Sequence, residues 1–375
     1  MEDTGIPKKL RVVFALADRS IQANGGFRII AGYSDYLQRN GYDVTLIAPG
    51  GKKRIFKPLL NKIKSVFGKS SALPPLNYER PFLEASDVTI KIVPDVGQLA
   101  REDFPDADIY IGTWWETVEW IENLPEEAAK CHFVQGYEVF PYLPVERVHD
   151  VYSSPIKKLV VSKWLQNKMQ ERYQATDTVL IENPIAFDQF YGGLREKPTT
   201  PRVGFLYSPS TFKNCALAIA AIKRLRSEIP NLEAVSFGSV PPAPEHVLGD
   251  GIEYILKPPQ SEIPEIYRSC SVWLFTSENE GFGLPLLEAM ACGAPVVATR
   301  AGAAPELVNA SNGALVESDV ESVADAAAKI INLSTDDWRV MSNKAVEVAR
   351  DHDWSSAAAK FEAIIVEAVA AKQKS

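Results

Sequence analysis

The sequence predicts an α/β protein built from two successive Rossmann-like, doubly wound units, and three observations carry that prediction. Strand-like apolar runs alternate with helical patterns from residue 10 onward. The alternation breaks at a polar, Gly- and Pro-bearing stretch near residue 190 and then restarts. The chain has 375 residues, more than one hydrophobic core usually organises.

Leu10 to Ala17 is a buried strand-like run. Asn24-Gly25-Gly26 follows as a turn, and Phe27 to Arg39 has helical spacing that Asn40-Gly41 stops. Tyr42 to Ala48 is the next strand, and this β–Gly-rich turn–α–β order begins a parallel sheet whose ligands sit at the carboxyl ends of its strands. Further strands are predicted at Val88–Val93, Ile109–Gly112, Cys131–Val134 and Leu159–Val161. Asn183-Pro184 marks a break, and Gly192-Gly193 to Pro201 reads as a linker. Beyond it, strands at Val203–Tyr207, Leu232–Phe237, Ile252–Leu256, Val272–Thr276 and Pro295–Ala298 alternate with helices at Ala216–Arg226 and Pro285–Ala291. Ala-rich Ser322–Ile331 and Ser355–Ala371 are the last helices.

Apolar residues make up 46% and charged residues 23%, which is a globular composition. The net charge of -8 argues against a general nucleic-acid binder, whose phosphate contacts need clustered Lys and Arg. No apolar run approaches the roughly 18–20 residues needed to span a bilayer. The polar Met1 to Leu10 is unlike a signal peptide. Cys131, Cys215, Cys270 and Cys292 share no CxxC spacing, so buried free thiols in a reducing, cytoplasmic compartment are expected.

The charge is uneven. Lys52 to Lys69 holds seven basic residues and no acidic one, leaving -15 for the remainder. Ile55, Phe56, Leu59, Leu60, Ile63, Val66 and Phe67 recur there at helical spacing. An apolar stripe flanked by Lys suits the surface of an anionic membrane, a partner protein, or packing on its own domain. The expected localisation is therefore cytoplasmic, with peripheral placement on the inner face of the membrane as its extension.

The most informative stretch runs from Ser277 to Gly293. A strand ends at Thr276, a Gly-containing loop follows, and Pro285 opens a helix. The backbone N–H groups of Gly281-Phe282-Gly283 and the helix N-terminus suit anionic or hydroxyl-rich ligand groups. Glu280 in the loop and Glu288 one turn into the helix are placed to flank one ligand.

EGFGLPLLEAMACGAPVVAT, with its E-x7-E spacing, resembles the retaining nucleotide-sugar glycosyltransferases of glycosyltransferase family four, which have the GT-B fold. VVSKWLQNKM followed by VLIENPIAFDQF is similar to that family's interdomain segment, and AGAAPELV with Asn312-Gly313 to the stretch after its E-x7-E helix. The resemblance implies two Rossmann-like domains facing a cleft: 1–185 for the acceptor, with 51–75 a basic amphipathic insertion, and 186–354 for the donor. It also implies that helix 355–375 returns to the N-terminal domain. By the same resemblance, Glu280 contacts donor-sugar hydroxyls beside the amides of Phe282 and Gly283. Gly281 and Leu284 belong to the same donor loop, and Glu288 binds the ribose. Gly25 and Gly26 match the loop that approaches the donor phosphates, for which a tight strand–helix turn is the plain alternative.

Two departures from the pattern stand out. Lys213 in GFLYSPSTFKN matches the family's phosphate Lys, but the Arg position is aromatic or aliphatic, and Lys257 is a candidate replacement. In Cys131-His132-Phe133-Val134-Gln135-Gly136-Tyr137-Glu138, Gln135 takes the loop position where many relatives have His, and His132 reads as a strand residue. VQGYE is similar to segments of surface-polysaccharide rhamnosyltransferases, which turns the donor expectation toward a deoxyhexose. Gln135, Tyr137 and Glu138 are candidates for sugar contacts. Trp114 and Trp115 are a candidate stacking wall, though paired Trp are as often core.

Asp106-Ala107-Asp108 and Asp351-His352-Asp353 are literal DxD triplets but read as solvated caps, so no essential metal or cofactor is expected. The resemblance implies a metal-independent hexosyltransferase acting on a glycan or lipid-linked acceptor in surface polysaccharide or glycolipid synthesis. A non-catalytic nucleotide-binding scaffold and a GT-B epimerase or phosphorylase are the alternatives left open.

Overall fold

The computed structural model describes residues 10–17, 25–51, 86–191, 193–244, 246, 248 and 251–374. The basic stretch from Lys52 to Lys69 lies outside the described residues. The first half runs β1 (Arg11–Ala15), α1 (Gly25–Arg39), β2 (Asp43–Pro49), β3 (Thr89–Val93), β4 (Ile109–Gly112), α2 (Trp115–Glu122) and β5 (Ala129–Val134). It continues through α3 (Val145–Ser153), β6 (Lys157–Val160), α4 (Lys163–Tyr173), β7 (Thr178–Leu180) and α5 (Phe187–Phe190). The second half runs β8 (Arg202–Leu206), α6 (Cys215–Glu228), β9 (Glu233–Gly238), β10 (Ile252–Leu256), α7 (Ile263–Arg268), β11 (Val272–Phe275) and α8 (Leu284–Ala291). It closes with β12 (Val296–Thr299), α9 (Ala304–Leu307), β13 (Gly313–Val316), α10 (Val320–Ile331), α11 (Thr335–Arg350) and α12 (Trp354–Lys374).

The strands form two sheets, ordered β3-β2-β1-β4-β5-β6-β7 and β10-β9-β8-β11-β12-β13. Every pairing in the second sheet is parallel, as are those linking β3, β2, β1, β4 and β5 in the first. Both orders reverse once, between β1 and β4 and between β8 and β11, which is the doubly wound arrangement. The strand runs are β-branched and aromatic, as sheets covered on both faces require: Val12 to Ala15 and Val272 to Phe275 are buried throughout. The fold is the α/β arrangement of two doubly wound, Rossmann-like sheets that the alternation predicts.

Two compact units divide the chain: Met1–Phe133 with Glu138–Lys158 and Phe361–Ser375, and Val134–Tyr137 with Leu159–Lys360. The end of α12 belongs to the first unit, where the Phe361 ring stacks on Tyr33 at 4.3 Å and lies 6.1 Å from Phe14. Glu362 accepts hydrogen bonds from the Tyr36 and Tyr42 hydroxyls at 2.9 and 2.8 Å. All four cysteines are buried and unbridged. Among the described residues, no helix is long and apolar enough to cross a membrane.

In the two DxD triplets Asp106 and Asp351 are exposed, while Asp108 and Asp353 are half-buried and bonded. Asp108 pairs with Arg11 through a 3.0 Å ion pair and accepts the Arg11 backbone N–H at 2.8 Å, tying the residue before β4 to the start of β1. Asp353 caps α12 by accepting the Ser356 N–H at 2.9 Å, and hydrogen bonds from Ser355 and Ser356 pull its pKa below the usual carboxylate range.

Candidate active site

The second unit places its chemistry at the carboxyl ends of β8 and β11, the switch point of its sheet. After β8 the chain makes one 3₁₀ turn, Thr211–Lys213, and enters α6 through Asn214, whose φ of 45° is left-handed. After β11 it runs through Thr276 and Ser277 to Glu280. The two loops are stitched together: Glu278 N–H donates to Phe212 O at 2.8 Å, and Thr276 Oγ1 to Asn214 O at 3.0 Å. The Asn214 amide donates to Glu278 Oε1 at 2.9 Å.

This stitching brings Lys213 Nζ into an ion pair with Glu280 Oε1, which also accepts from Ser277 Oγ at 2.7 Å. The side chains of Lys213 and Glu280 are 21% and 11% exposed, so the pair is reachable yet mostly screened from water. A hydroxyl-rich ligand meets a fixed carboxylate here, and an anionic group meets the ammonium beside the N-terminus of the 14-residue α6.

Glycines shape the loop that follows. A Cβ on Gly281 would stand 1.8 Å from Gln135 O, and one on Gly283, at φ 104°, would stand 2.8 Å from Phe275 Cζ. Gly283 caps α8, and the Leu286 N–H turns back to its carbonyl at 2.9 Å. Phe282 is 2% exposed and its carbonyl accepts from Ala303 N–H at 2.9 Å, so the buried ring anchors the loop. Leu284 is likewise buried. Ser162 Oγ, the N-cap of α4, donates to Gly281 O at 2.7 Å.

Glu288 lies one turn into α8, buried, with Oε2 accepting from the Tyr267 hydroxyl at 2.8 Å. Lys257 closes the edge strand β10 as an exposed residue in the left-handed region, φ 50°. Gln135 is half-buried, and its Oε1 is buried with no hydrogen-bond partner among the described residues. The Tyr137 hydroxyl lies 2.8 Å from that of Tyr173.

In the first unit, Gly25 and Gly26 are the first residues of α1, beyond the carboxyl end of β1. Trp114 caps α2 and is half-buried. Trp115 and Glu138 correct an expectation. Trp115 is 3% exposed and the Arg147 guanidinium covers its ring at 4.8 Å, so it is core and not a sugar-stacking wall. Glu138 is 3% exposed, and its Oε2 accepts the Trp115 N–H at 2.8 Å, which pins the start of α2 instead of presenting a carboxylate to solvent. His132 is a fully buried β5 residue stacked on Tyr152 at 5.7 Å.

Burial pushes the Glu138 carboxyl up to about 8 and holds His132 down to about 3, with the Lys158 charge adding to the latter. Folded Glu138 thus keeps a proton that the unfolded chain releases, so its contribution is full below about 4.5 and is lost as pH rises to about 8. His132 acts oppositely: its contribution is full above about 6.5 and is lost as pH falls toward 3. Of the two, only the Glu138 loss acts between pH 6.5 and 8, at up to ~1.4 kcal/mol per pH unit. Glu138→Gln keeps the acceptor for Trp115 and is expected to flatten that loss, measured as urea midpoints at pH 6.5 and 8. Parallel pH profiles for variant and wild type would refute it.

Ser277, Ser162, Tyr267 and Gly302 complete the site without a role having been assigned from sequence. Gly302, at φ 56°, lies where a Cβ would stand 2.8 Å from Glu280 Cβ. The positive-φ glycine and the helix-opening Ser162 carried weak local signals; the Tyr267–Glu288 bond carried none.

Residues 200–333 match the family model described as glycosyl transferases group 1, a segment that contains Lys213, Glu280 and Glu288. An O-antigen chain mannosyltransferase B of Escherichia coli is 31% identical over 106 residues, 28% of this chain and 27% of that protein. A D-inositol 3-phosphate glycosyltransferase of Corynebacterium glutamicum (strain R) is 32% identical over 187 residues, 46% of this chain and 44% of that protein. The chain thus spans less than half the length of these relatives. Among solved structures, sucrose-phosphate synthase from Thermosynechococcus elongatus aligns at TM-score 0.71 and 17% identity, covering 97% of this chain and all of that one. Anabaena HepE in complex with UDP and glucose aligns at TM-score 0.71 and 14% identity, covering 96% of this chain and all of that one. These likenesses show the shared fold.

Proposed function

We propose that this protein transfers a hexose from a nucleotide-sugar to a hydroxyl of a glycan or lipid-linked glycan, with retention of configuration and without an essential metal. The observation that carries this reading is the Lys213–Glu280–Ser277 cluster at the β8/β11 switch point. Its position inside the segment matching the glycosyl transferases group 1 model adds weight, as does the fold shared with a structure that binds UDP and glucose.

In this reading Glu280 accepts hydrogen bonds from donor-sugar hydroxyls, and Ser277 orients its carboxylate. The departing diphosphate carries developing negative charge, which Lys213 and the amides around Gly283 stabilise electrostatically. Gln135 offers its unpaired carbonyl oxygen to the donor sugar. Glu288, held by Tyr267, takes the ribose hydroxyls. Lys257 is a second cation for the diphosphate at the sheet edge.

A thermal-shift series over UDP, GDP, dTDP and ADP tests the reading. One diphosphate is expected to raise the Tm, since a ligand at 100 times its Kd adds ~2.7 kcal/mol to the folded state. Lys213→Ala is expected to abolish that shift. The matching nucleotide-sugar should release its diphosphate only when an acceptor is present, and should do so equally in EDTA. A flat response to all four nucleotides would overturn the proposal.

A further inference from the structure

The face of α4 beside the Glu280 loop carries a cluster that the site described above does not use. Trp164, Lys168 and Arg172 are spaced four residues apart and so lie along one side of the helix. Tyr137 meets them from the segment after β5: its ring is edge-on to Trp164 at 6.1 Å, and its hydroxyl is bonded to that of Tyr173. Lys168 Nζ stands 5.7 Å from the Tyr137 ring and 5.8 Å from the Trp164 ring. The Arg172 guanidinium stands 6.0 Å from Tyr137 and 5.8 Å from Tyr173. Trp164, Lys168, Tyr137 and Tyr173 are half-buried and Arg172 is exposed, so rings and cations are accessible together.

One anchor ties this face to the 280–283 loop and a second ties it to α9. Ser162, which opens α4, holds Gly281 O, and Glu306 Oε1 accepts the Trp164 N–H at 3.2 Å. Gly136, immediately before Tyr137, has its Cα 3.0 Å from where a Gly281 Cβ would stand. The helix carries three basic residues and one acidic residue in a chain of net charge -8. Lys168 has no carboxylate within ion-pair distance among the described residues. Aromatic edges and faces suit the C–H faces of a sugar ring, and two cations one turn apart suit an anionic substituent on it.

We propose that this face is a subsite for an acidic saccharide, whose ring lies against Trp164 and Tyr137 while its carboxylate or phosphate meets Lys168 and Arg172. That the saccharide is the acceptor rests on the sugar-transfer reading; the binding itself does not.

Calorimetry on the full chain with trigalacturonate, glucose 6-phosphate, maltotriose and inorganic phosphate tests it. At least one acidic saccharide is expected to bind tenfold or more tightly than both maltotriose and inorganic phosphate. Which of the two acids binds better identifies the anionic group. Lys168→Glu, Arg172→Glu and Trp164→Leu are each expected to weaken that binding tenfold or more while leaving the nucleotide-induced Tm shift at its wild-type value. Maltotriose or bare phosphate binding as tightly as both acidic saccharides, or undiminished binding in the three variants, overturns the subsite. Acidic-saccharide binding in a protein that answers no nucleotide would sustain the subsite and defeat the sugar-transfer reading.

Discussion

Glu280→Ala is expected to lower sugar transfer by ~10²–10³-fold or more while leaving the fold in place, the scale on which one preorganised polar contact to a reacting centre acts. The carboxylate is held from two sides, by Lys213 and by Ser277, and its backbone is fixed by the Glu278–Phe212 and Ser162–Gly281 hydrogen bonds. A group so constrained loses little orientational freedom when a ligand arrives, which is what makes its contribution large. Removing it also frees Lys213, so nucleotide diphosphate should bind Glu280→Ala at least as well as wild type even as transfer fails. That split separates a sugar-contacting carboxylate from a residue that merely holds the loop. Progress curves with saturating donor and the nucleotide-induced Tm shift are the two measurements. Retained transfer in Glu280→Ala would remove the residue from the site, and loss of both transfer and nucleotide binding would make it structural. Ser277→Ala, which takes away one of two partners, should give an intermediate loss of about tenfold.

The alternation of strands and helices was legible because its signals are local. β-branched runs, Asn40-Gly41 and Pro285 each act within a few residues, and the structure places β1, β4, β10, β11 and α8 within two residues of the predicted spans. The conformation-setting residues of the 280–283 loop were legible for the same reason: E-x7-E and its glycines are one contiguous stretch. Side-chain direction was not. Trp114 and Trp115 are neighbours in sequence, yet one caps α2 half-exposed while the other is buried under Arg147, because the helix start turns them to opposite sides. Glu138 looks like a surface carboxylate by residue type, and only its burial and its bonds to Trp115 and Tyr152 show otherwise. The partners that hold the site are also distant in sequence. Ser162 and Gly281 lie 119 positions apart, and Tyr267 and Glu288 lie 21 apart.

Gly281→Ala is expected to be the most damaging small substitution in the second unit. The atoms that the added methyl would meet are backbone: Gln135 O at 1.8 Å, Gln135 C at 2.6 Å and Gly136 Cα at 3.0 Å. None can rotate away, so either the Val134–Tyr137 segment or the 280–283 loop must move, and overpacking of this kind costs about 1–3 kcal/mol. The Ser162–Gly281 hydrogen bond goes with it, adding ~1 kcal/mol. Because Glu280 is the preceding residue, a shift of the loop by an ångström carries the carboxylate out of place, and misplacement on that scale costs ~10²-fold in rate. Gly136→Ala supplies the comparison from the other side of the same contact. A Cβ there meets nothing within 4 Å, and its φ is not left-handed among the described backbone, so stability and transfer should stay near wild type. The expected pattern is therefore asymmetric, with urea midpoint and transfer rate both falling for Gly281→Ala and neither for Gly136→Ala. Equal behaviour of the two alanines would mean that Gln135 and Gly281 do not touch in solution. In that case the place of Gln135 beside the 280–283 loop would fall as well.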